Sequence, residues 1–457
     1  MNVKSMTPGK VSRELNEPTP LLPTRCTDAD GMPGVPRKMS RTILREALWR
    51  ITRCEIAGHR DGLRKHPATP GAYLQPKTEN WGFDLRNRAT PKAGRRASYM
   101  ACLALGVAGV TAWLMLSRAA GAAPQLHVSG NELVSASGAD VVLHGVDRSG
   151  AEYECLQGGQ IFAGPTNQAS VTAMKSWGIN AVRLPLNEAC WNGQSRIRAA
   201  SYQSAIKAYV RLLNSNGMVV VLDLHWSEGA YSGPSSTCSS AAAVCQKPMP
   251  DMAEAVPFWS SVATTFKGND AVVFDLFNEP YPERADNDNE TAGWQCWLHG
   301  GKDCVGISYA VAGMQTLVNT VRATGANNVL MVGGLAFSDD LTQWLKYMPV
   351  DPDHNLVASW HSYSFSACDT RSCWTREVAP VIAKVPVMAG EIGEIDCADD
   401  YVAPLLRWLD SRHTSYLAWA WNANFQCGGP SLITGYNGTP TRYGAGYMAH
   451  LRSLARN

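Results

Sequence analysis

Eight short apolar runs, separated by segments of helical periodicity, limit the fold of this chain more than any other feature. Each run holds five to eight residues, mostly Val, Leu, Ala and aromatic side chains, which is typical of strands buried on both faces. The runs are Val141–Gly145, Asn180–Pro185, Met218–His225, Val272–Glu279, Asn328–Gly333, Leu356–His361, Val385–Glu391 and Tyr416–Trp421. The helices are predicted at Ala169–Trp177, Ser201–Asn214, Val256–Phe266, Tyr309–Ala323, Ala398–His413 and Tyr443–Leu454.

Eight strands that alternate with helices over about 330 residues predict an α/β fold, a (β/α)8 TIM barrel with loop insertions. A doubly wound open sheet is the alternative, but no G-x-G-x-x-G motif follows the first strand. Leu126–Val134 alternates apolar and polar residues around a Gly-Asn turn, which predicts a hairpin before the barrel. Residues 231–250 and 281–306 hold no strand pattern, and we expect both above the C-terminal face of the barrel.

Three regions are predicted along the chain. Residues 1–98 have a net charge of +10 and no sustained apolar period, which indicates a disordered basic N-terminal region. Residues 99–123 contain the apolar segment Tyr99–Leu116 and the small-residue sequence Ala120-Gly121-Ala122, and resemble a signal peptide or a transmembrane segment. Residues 99–457 together carry a net charge of −8. We therefore expect a secreted or membrane-anchored protein whose globular domain, residues 124–457, is extracytoplasmic.

Cysteine usage agrees with export. Ten of the 13 cysteines follow the apolar segment, and most fall in close couples along the chain. An even number in loop-like sequence favours disulfides formed in an oxidising compartment. No C-x-x-C pair or H-x-x-x-H cluster supports metal binding. The expected couples are Cys238/Cys245, Cys296/Cys304 and Cys368/Cys373, and the pairing of Cys155, Cys190, Cys397 and Cys427 stays open.

Polar and aromatic side chains recur at the C-terminal ends of the predicted strands, the face on which a barrel builds its active site. They are Arg183, His225, Asn278, Glu279, His361, Tyr363, Glu391, Trp419 and Trp421. Each of them alone has a structural interpretation, as a packing histidine, a salt-bridge arginine or a core tryptophan. Their recurrence at one face favours a catalytic site.

Two glutamates, Glu279 and Glu391, end the fourth and seventh strands across the barrel mouth. A retaining glycosidase needs two carboxyl groups about 5–5.5 Å apart, one protonated and one ionised. Burial and a neighbouring negative charge would keep one protonated, and donors such as Arg183 and Tyr363 would keep the other ionised. Asn278 would hydrogen-bond the sugar 2-hydroxyl.

Six separated motifs, in the same order along the chain, resemble glycoside hydrolase family 5, the cellulase family of the retaining (β/α)8 clan. They are Asn180-Ala-Val-Arg183, Asp223-Leu-His225, Asn278-Glu279-Pro280, His361-Ser-Tyr363, Gly390-Glu391-Ile-Gly393 and the tryptophan strand. The resemblance covers about Leu126 to Leu454 and implies Glu279 as the general acid/base and Glu391 as the nucleophile. The substrate-binding residues that it implies are Arg183, His225, Asn278, His361, Tyr363 and Trp419.

Other residues near these motifs are secondary candidates. Glu394 lies three residues past Glu391 and is a weaker nucleophile candidate, because the family's carboxylate directly follows the seventh strand. Ile392 stands where an aromatic residue is more usual, which leaves the chemistry intact. The additional candidate sugar contacts, in the first loop, are His144, Arg148, Glu152 and Tyr153.

The resemblance implies a retaining glycoside hydrolase that cleaves β-glycosidic bonds of a polysaccharide, and an endo-β-1,4-glucanase is the first expectation. A β-mannanase, another β-glycanase or a transglycosidase of the family is the alternative, and a non-catalytic glycan-binding barrel is the alternative from another class. Because carboxylates carry both chemical steps, we expect no cofactor and no metal. The expected partner of the monomer is a β-linked polysaccharide or oligosaccharide, with no nucleic acid, and any membrane anchoring would use residues 99–116.

Overall fold

The computed structural model describes residues 121–454 of the 457-residue chain. The predicted N-terminal region 1–98 and the apolar segment Tyr99–Leu116 lie outside the described residues, and both stay predictions. Among the helices of residues 121–454, none has both the length and the apolar character needed to cross a membrane.

The strands form a small hairpin followed by a closed barrel. Strands β1 (Leu126–Ser129) and β2 (Glu132–Ser135) pair antiparallel around Gly130-Asn131, as predicted. The barrel strands are β3 (His144–Asp147), β4 (Ala181–Asn187), β5 (Val219–Trp226), β6 (Val272–Asp275), β7 (Leu330–Gly333), β8 (Leu356–Tyr363), β9 (Val387–Gly393) and β10 (Ser415–Ala418). They pair in parallel in chain order, and β10 closes the barrel by pairing with both β9 and β3. The (β/α)8 prediction is confirmed, and closure excludes the open sheet.

Helices cover the outside of the barrel and fill several of its loops. They are α1 (Gln168–Trp177), α2 (Glu188–Asn192), α3 (Ala199–Ser215), α4 (Ala255–Phe266), α5 (Glu290–His299), α6 (Met314–Ala323), α7 (Leu335–Ser338), α8 (Trp344–Tyr347), α9 (Arg371–Cys373), α10 (Ala379–Ile382), α11 (Val402–Asp410) and α12 (Arg442–Leu454). A last hairpin, β11 (Ile433–Gly435) and β12 (Thr439–Pro440), precedes α12. Helix α1 shows how local sequence sets the bounds: the Asn167 side chain accepts the Ser170 N–H, and Gly178 ends the helix at φ 95°.

The lower half of the barrel interior is apolar. Val221, Val273 and Met331 belong to one buried cluster with the hairpin residues Leu126 and Leu133. The hairpin lies at the N-terminal ends of the barrel strands, since the Leu126 N–H donates to the carbonyl of Asp270, two residues before β6 begins. Two residues further along β5 and β6, the same inward face becomes polar. The packed lower layer therefore supports a polar layer at the C-terminal mouth.

Two irregularities in the strands shape that mouth. Strand β6 was predicted to run to Glu279 but ends at Asp275. The residues that follow donate backbone hydrogen bonds first to β7 and then to β5. The Leu276 N–H donates to the Met331 carbonyl, and the Asn278 N–H donates to the Leu224 carbonyl. On β9, one extra residue, Gly390, breaks the register against β8.

Gly390 occupies a position at which a side chain would collide with its surroundings. A Cβ there would lie 2.6 Å from Met331 Cε and 2.7 Å from Ser359 Oγ. Beyond the irregularity, Glu391 pairs in register with His361. The glycine therefore permits the one-residue shift that brings a catalytic candidate of β9 beside one of β8.

All ten cysteines of the described region form disulfides. The three predicted couples, Cys238–Cys245, Cys296–Cys304 and Cys368–Cys373, are confirmed. The four cysteines whose pairing the sequence left open form Cys155–Cys190 and Cys397–Cys427, at separations of 35 and 30 residues. The three short-range disulfides close small segments beside the barrel, whereas Cys155–Cys190 encloses α1 and β4, and Cys397–Cys427 encloses α11 and β10.

Candidate active site

A single buried arginine organises the polar layer of the barrel. Arg183, on β4, lies with its Nε 2.9 Å from Asp275 Oδ2 and its two terminal nitrogens 3.1 Å from Asp147 Oδ1 and 3.0 Å from Asp223 Oδ2. All four side chains are buried. Burial raises the pKa of Asp147 and of Asp275 well above the usual range and that of Asp223 to about 7, and Arg183 opposes each shift. Because one guanidinium cannot neutralise all three buried aspartates, the surroundings favour the protonated form of these side chains.

Glu391 is held by two strong donors. Arg183 donates to its Oε1 at 2.7 Å, and the Tyr363 hydroxyl donates to its Oε2 at 2.6 Å. Arg183 also donates to Asn278 Oδ1 at 2.7 Å, so the guanidinium connects the two residues. Glu391 is only 3% exposed. A cation on one oxygen and a hydroxyl on the other stabilise the ionised carboxylate and fix its orientation.

Glu279 lies in a different electrostatic environment. Its side chain is 22% exposed, and its Oε1 is 3.1 Å from His361 Nδ1. Burial raises the pKa of Glu279 to about 7, against the opposing effects of His225 and Arg183. Burial also lowers the pKa of His361 to about 3, so this imidazole is neutral near pH 7. The glutamate therefore keeps a proton at mildly acidic pH without a cation beside it.

The two glutamates face each other closely. One carboxylate oxygen of each, together with one ring nitrogen of His361, lie within 4.8 Å of one another. This separation agrees with the two-carboxyl spacing of retaining glycosidases and is shorter than the roughly 6.5–9.5 Å of inverting ones. The same three residues have the ligand types of a metal site, but Arg183 already neutralises Glu391. The donor set therefore fits acid, base and nucleophile chemistry better than cation binding.

One wall of the mouth is aromatic. Trp419 follows β10, is half-buried, and stacks against His225 with ring centroids 5.4 Å apart and planes 13° apart. The His225 ring nitrogen Nδ1 lies 2.7 Å from Asp223 Oδ2, which orients the imidazole. Trp421, by contrast, is fully buried against Trp177 and belongs to the core.

All eight residues predicted for the site therefore lie at the same barrel mouth: they stand on β4, β5, β8 and β9 or follow β6 and β10. The secondary candidates fare differently. His144 begins β3, at the opposite end of the barrel, where it lies 3.8 Å from Asp410, so its assignment as a sugar contact is wrong. Arg148 is buried and donates to the backbone carbonyls of Ser149, Ala163 and Pro165. Arg148 therefore stabilises the loop that follows β3.

Two acidic candidates also have structural partners. Glu152 is buried and accepts the Gly150 N–H and the Ser149 hydroxyl, both at 2.6 Å. Glu394 accepts the backbone N–H of Val402 at the start of α11, which makes it a helix-capping residue. Tyr153 is half-buried and contacts Asn422, so its role in sugar binding stays a prediction.

Sequence reasoning gave no role to four residues of the site, although Asp223 stands in one of the six motifs. Asp147, Asp223 and Asp275 surround Arg183, and Gln246 bonds to the Asn278 side chain. Asp223 had a readable signal, because it shares one strand face with His225 by the period of two. Gln246 lies in an insertion without periodicity, and nothing in the sequence distinguishes it.

Comparison with known proteins identifies the family. The model for "Cellulase (glycosyl hydrolase family 5)" matches residues 134–425. The chain belongs to glycosyl hydrolase family 5. The predictions of this family and of a glycoside hydrolase are confirmed.

Curated relatives of this hydrolase carry two kinds of name. "Endoglucanase B" of Clostridium cellulovorans is 28% identical over 225 residues, which is 46% of this chain and 45% of that enzyme. The chain thus spans about half the length of that relative. A "Mannan endo-1,4-beta-mannosidase" of Cellvibrio japonicus is 24% identical over 348 residues, 74% of this chain and 69% of that enzyme.

Solved structures share the fold of the hydrolase. The β-glucanase SdGluc5_26A of Saccharophagus degradans superimposes with a TM-score of 0.56 at 18% identity, covering 73% of this chain and 94% of that one. The same protein has been solved with cellotetraose. A β-mannanase of Streptomyces thermolilacinus, solved with mannohexaose, gives a TM-score of 0.52 at 21% identity, covering 73% and 96%.

Proposed function

We propose that this protein is a retaining endo-β-1,4-glucanase that works by double displacement, with Glu279 as general acid/base and Glu391 as nucleophile. The observation that carries the proposal is the facing pair of carboxyl groups with opposite environments. Glu391 is bound by Arg183 and Tyr363, whereas burial raises the pKa of Glu279 to about 7. A carboxyl group that burial keeps protonated, facing a second one held by two donors, gives the division of labour that retaining hydrolysis requires.

In the first step, a Glu391 oxygen attacks the anomeric carbon while Glu279 gives its proton to the glycosidic oxygen. The bond between that carbon and oxygen breaks, the shortened chain leaves as an alcohol, and a glycosyl ester remains on Glu391. In the second step, the Glu279 carboxylate takes a proton from water as the water oxygen attacks the same carbon. Glu391 is released ionised, Glu279 is protonated again, and the configuration at the anomeric carbon is retained.

The neighbouring residues have roles in holding the sugar. Asn278 lies beside Arg183, and in the proposed mechanism its amide bonds the 2-hydroxyl, a contact that strengthens in the transition state. Trp419 and His225 form a flat wall on which the apolar face of a pyranose ring can stack. Neutral His361 contacts Glu279 and fixes the position of the acid.

β-1,4-Mannan is the second candidate substrate. The observation in its favour is that relatives named as mannan endo-1,4-β-mannosidases align over 74% and 71% of this chain, more than the 46% aligned to the clostridial endoglucanase. Both glycans present the same glycosidic linkage to the two glutamates and differ in the direction of the 2-hydroxyl, so the substrate must be distinguished by assay.

Product release by the full-length protein should be measured on carboxymethylcellulose, β-glucan, mannan and xylan, with Glu391→Gln in parallel. Release of oligosaccharides from one glucan, absent in the variant, supports the proposal, and release from mannan alone favours the second candidate. Transfer to an added acceptor sugar in place of water would indicate a transglycosidase. Glycan binding by folded protein without turnover on any substrate would contradict a catalytic function.

We also propose that the hydrolase acts outside the cytoplasm. Five disulfides in one domain support this location, because cytosolic reductants keep thiols reduced. Thiol labelling of protein isolated from its own cells tests the proposal. Ten labelled cysteines in the domain without prior reduction would refute it.

A further inference from the structure

A short disulfide-closed segment stands directly beside the catalytic residues. The loop after β5 is closed by Cys238–Cys245, seven residues apart, and Gln246 is the next residue of the chain. Gln246 is half-buried. The proposed mechanism gives it no role, and the residue comes from an insertion rather than from a barrel strand.

The Gln246 side chain makes hydrogen bonds to both Asn278 and Glu279, which follow strand β6. Its Oε1 accepts from Asn278 Nδ2 at 3.0 Å. Its Nε2 donates to the backbone carbonyl of Glu279 at 3.1 Å and to that of Lys247 at 3.1 Å. The Gln246 amide therefore bonds both the side chain of Asn278 and the main chain of Glu279, the proposed general acid.

These bonds determine the orientation of the Asn278 amide. Its oxygen accepts from Arg183 at 2.7 Å, and one of its two N–H groups donates to Gln246. With the oxygen and one hydrogen engaged, the second N–H has a single direction left. A planar amide fixed at both ends is a preorganised donor, which stabilises a transition state without reorganising during the reaction.

The backbone around Gln246 is itself fixed from several directions. The Tyr281 hydroxyl donates to the Gln246 carbonyl at 3.3 Å, and the Tyr281 N–H donates to the Pro248 carbonyl at 3.0 Å. On the other side, Asn187 Nδ2 donates to the Ala243 carbonyl at 2.8 Å. The disulfide and these bonds hold the glutamine in one place, so that it can hold its partners in turn.

We propose that Gln246 is a positioning residue for hydrolysis: through its amide it fixes Asn278, so that the free Asn278 N–H points at the 2-hydroxyl of the sugar being cleaved. The proposal rests on the retaining mechanism proposed above. It predicts that the effect of Gln246 is expressed through one hydroxyl of the substrate, which a general structural role would not produce.

The test compares two aryl β-glycosides that differ only in the 2-hydroxyl of the sugar at the cleaved bond. Gln246→Met keeps the length of the side chain but removes the amide. We expect kcat on the 2-hydroxy substrate to fall about tenfold with little change in KM, since one preorganised hydrogen bond is lost in the transition state. On the 2-deoxy substrate the fall should stay within about threefold, because there is no hydroxyl to bind.

Two controls separate this role from a loss of stability. Gln203→Met removes another half-buried glutamine, whose amide bonds only the Trp191 carbonyl outside the site, and kcat should be unchanged. In an Asn278→Ala background, Gln246→Met should cost little more, because the two residues act in series. If the methionine variant does not fold, Gln246→Asn, which withdraws the amide by one methylene, should show the same dependence on the 2-hydroxyl.

Equal losses on the two substrates, full activity of Gln246→Met, or additive losses with Asn278→Ala would overturn the role of Gln246 while leaving the proposed function intact. Failure of the native protein to cleave either glycoside or any polysaccharide of the panel would overturn the proposed function, and the positioning role with it.

Discussion

The alkaline limb of the pH profile follows directly from the burial of Glu279. Burial raises the pKa of this carboxyl from 4.5 to about 7. At pH 6, a group with a pKa of 7 is about 90% protonated, whereas a group at 4.5 is about 3% protonated. Only the protonated form can assist the departure of a sugar hydroxyl, so at this pH burial increases the competent fraction about thirtyfold.

We therefore expect kcat/KM on a cello-oligosaccharide to be level up to about pH 7 and then to fall about tenfold for each further pH unit. Initial rates from pH 5 to pH 9 measure this limb. A dinitrophenyl glycoside needs no proton on its leaving group, so its first step should lack the limb, and Glu279→Ala should slow the oligosaccharide far more than this substrate. Added azide should restore part of the second step in the variant.

If kcat/KM of the native enzyme on the oligosaccharide already fell with rising pH from about pH 4.5, the reasoning from burial would be refuted. The pKa of Asp223 is also raised to about 7, by burial and by the charge of Glu279, so a second group near the site titrates in the same range. Glu279→Ala separates the two. If the limb near pH 7 persists in that variant on the activated substrate, then Asp223, and not Glu279, controls the profile.

Three further predictions concern other parts of the site. Glu391→Gln should abolish turnover and leave the thermal unfolding midpoint unchanged. Glu394→Gln, at a helix cap, should keep most of the activity. The reverse pattern would identify Glu394 and not Glu391 as the nucleophile. Tyr363→Phe removes a charge-assisted hydrogen bond of 2.6 Å to Glu391 and should lower kcat about tenfold or more, and an unchanged kcat would show that Arg183 alone holds the nucleophile. Replacing Cys238 and Cys245 by Ser should lower the free energy of unfolding by roughly 2 kcal/mol, measured with urea, and undiminished stability would mean that the loop is held by its other bonds.

The barrel could be predicted because each of its strands lies in a short, mostly apolar run between segments of helical periodicity. The prediction was weakest where tertiary contacts decide the structure. The run Val272–Glu279 has one uniform pattern, yet regular pairing stops at Asp275, because the chain beyond it bonds to both neighbours in turn. Helix α5 was not predicted, since Glu290–His299 contains a glycine and has weak apolar periodicity within an insertion rich in Asp and Asn.

The catalytic candidates were predictable from strand ends, but their interactions were not. The contact between Arg183 and Glu391, for example, depends on closure of the barrel, because pairing of β10 with both β9 and β3 brings β9 near β4. The pairing of Cys155 with Cys190 spans 35 residues and also depends on where the loops lie in three dimensions. Arg148 and Glu152 look like site residues in sequence because they follow the first strand, but both form hydrogen bonds with groups of their own loop.

The group of carboxyl side chains around Arg183 has a thermodynamic consequence for the whole domain. Carboxyl groups whose pKa is raised on burial bind protons in the folded state that the unfolded chain releases near pH 4, so folding takes up protons. The free energy of unfolding should then decrease as the pH rises from about 4 to 7, and the contribution of Asp223 should level off above its folded pKa of about 7. Calorimetric folding in buffers of different ionisation enthalpy would measure this uptake directly, and a domain that gained stability over that range would refute it. Mildly acidic surroundings would thus favour both the native state of this hydrolase and the protonated form of its general acid.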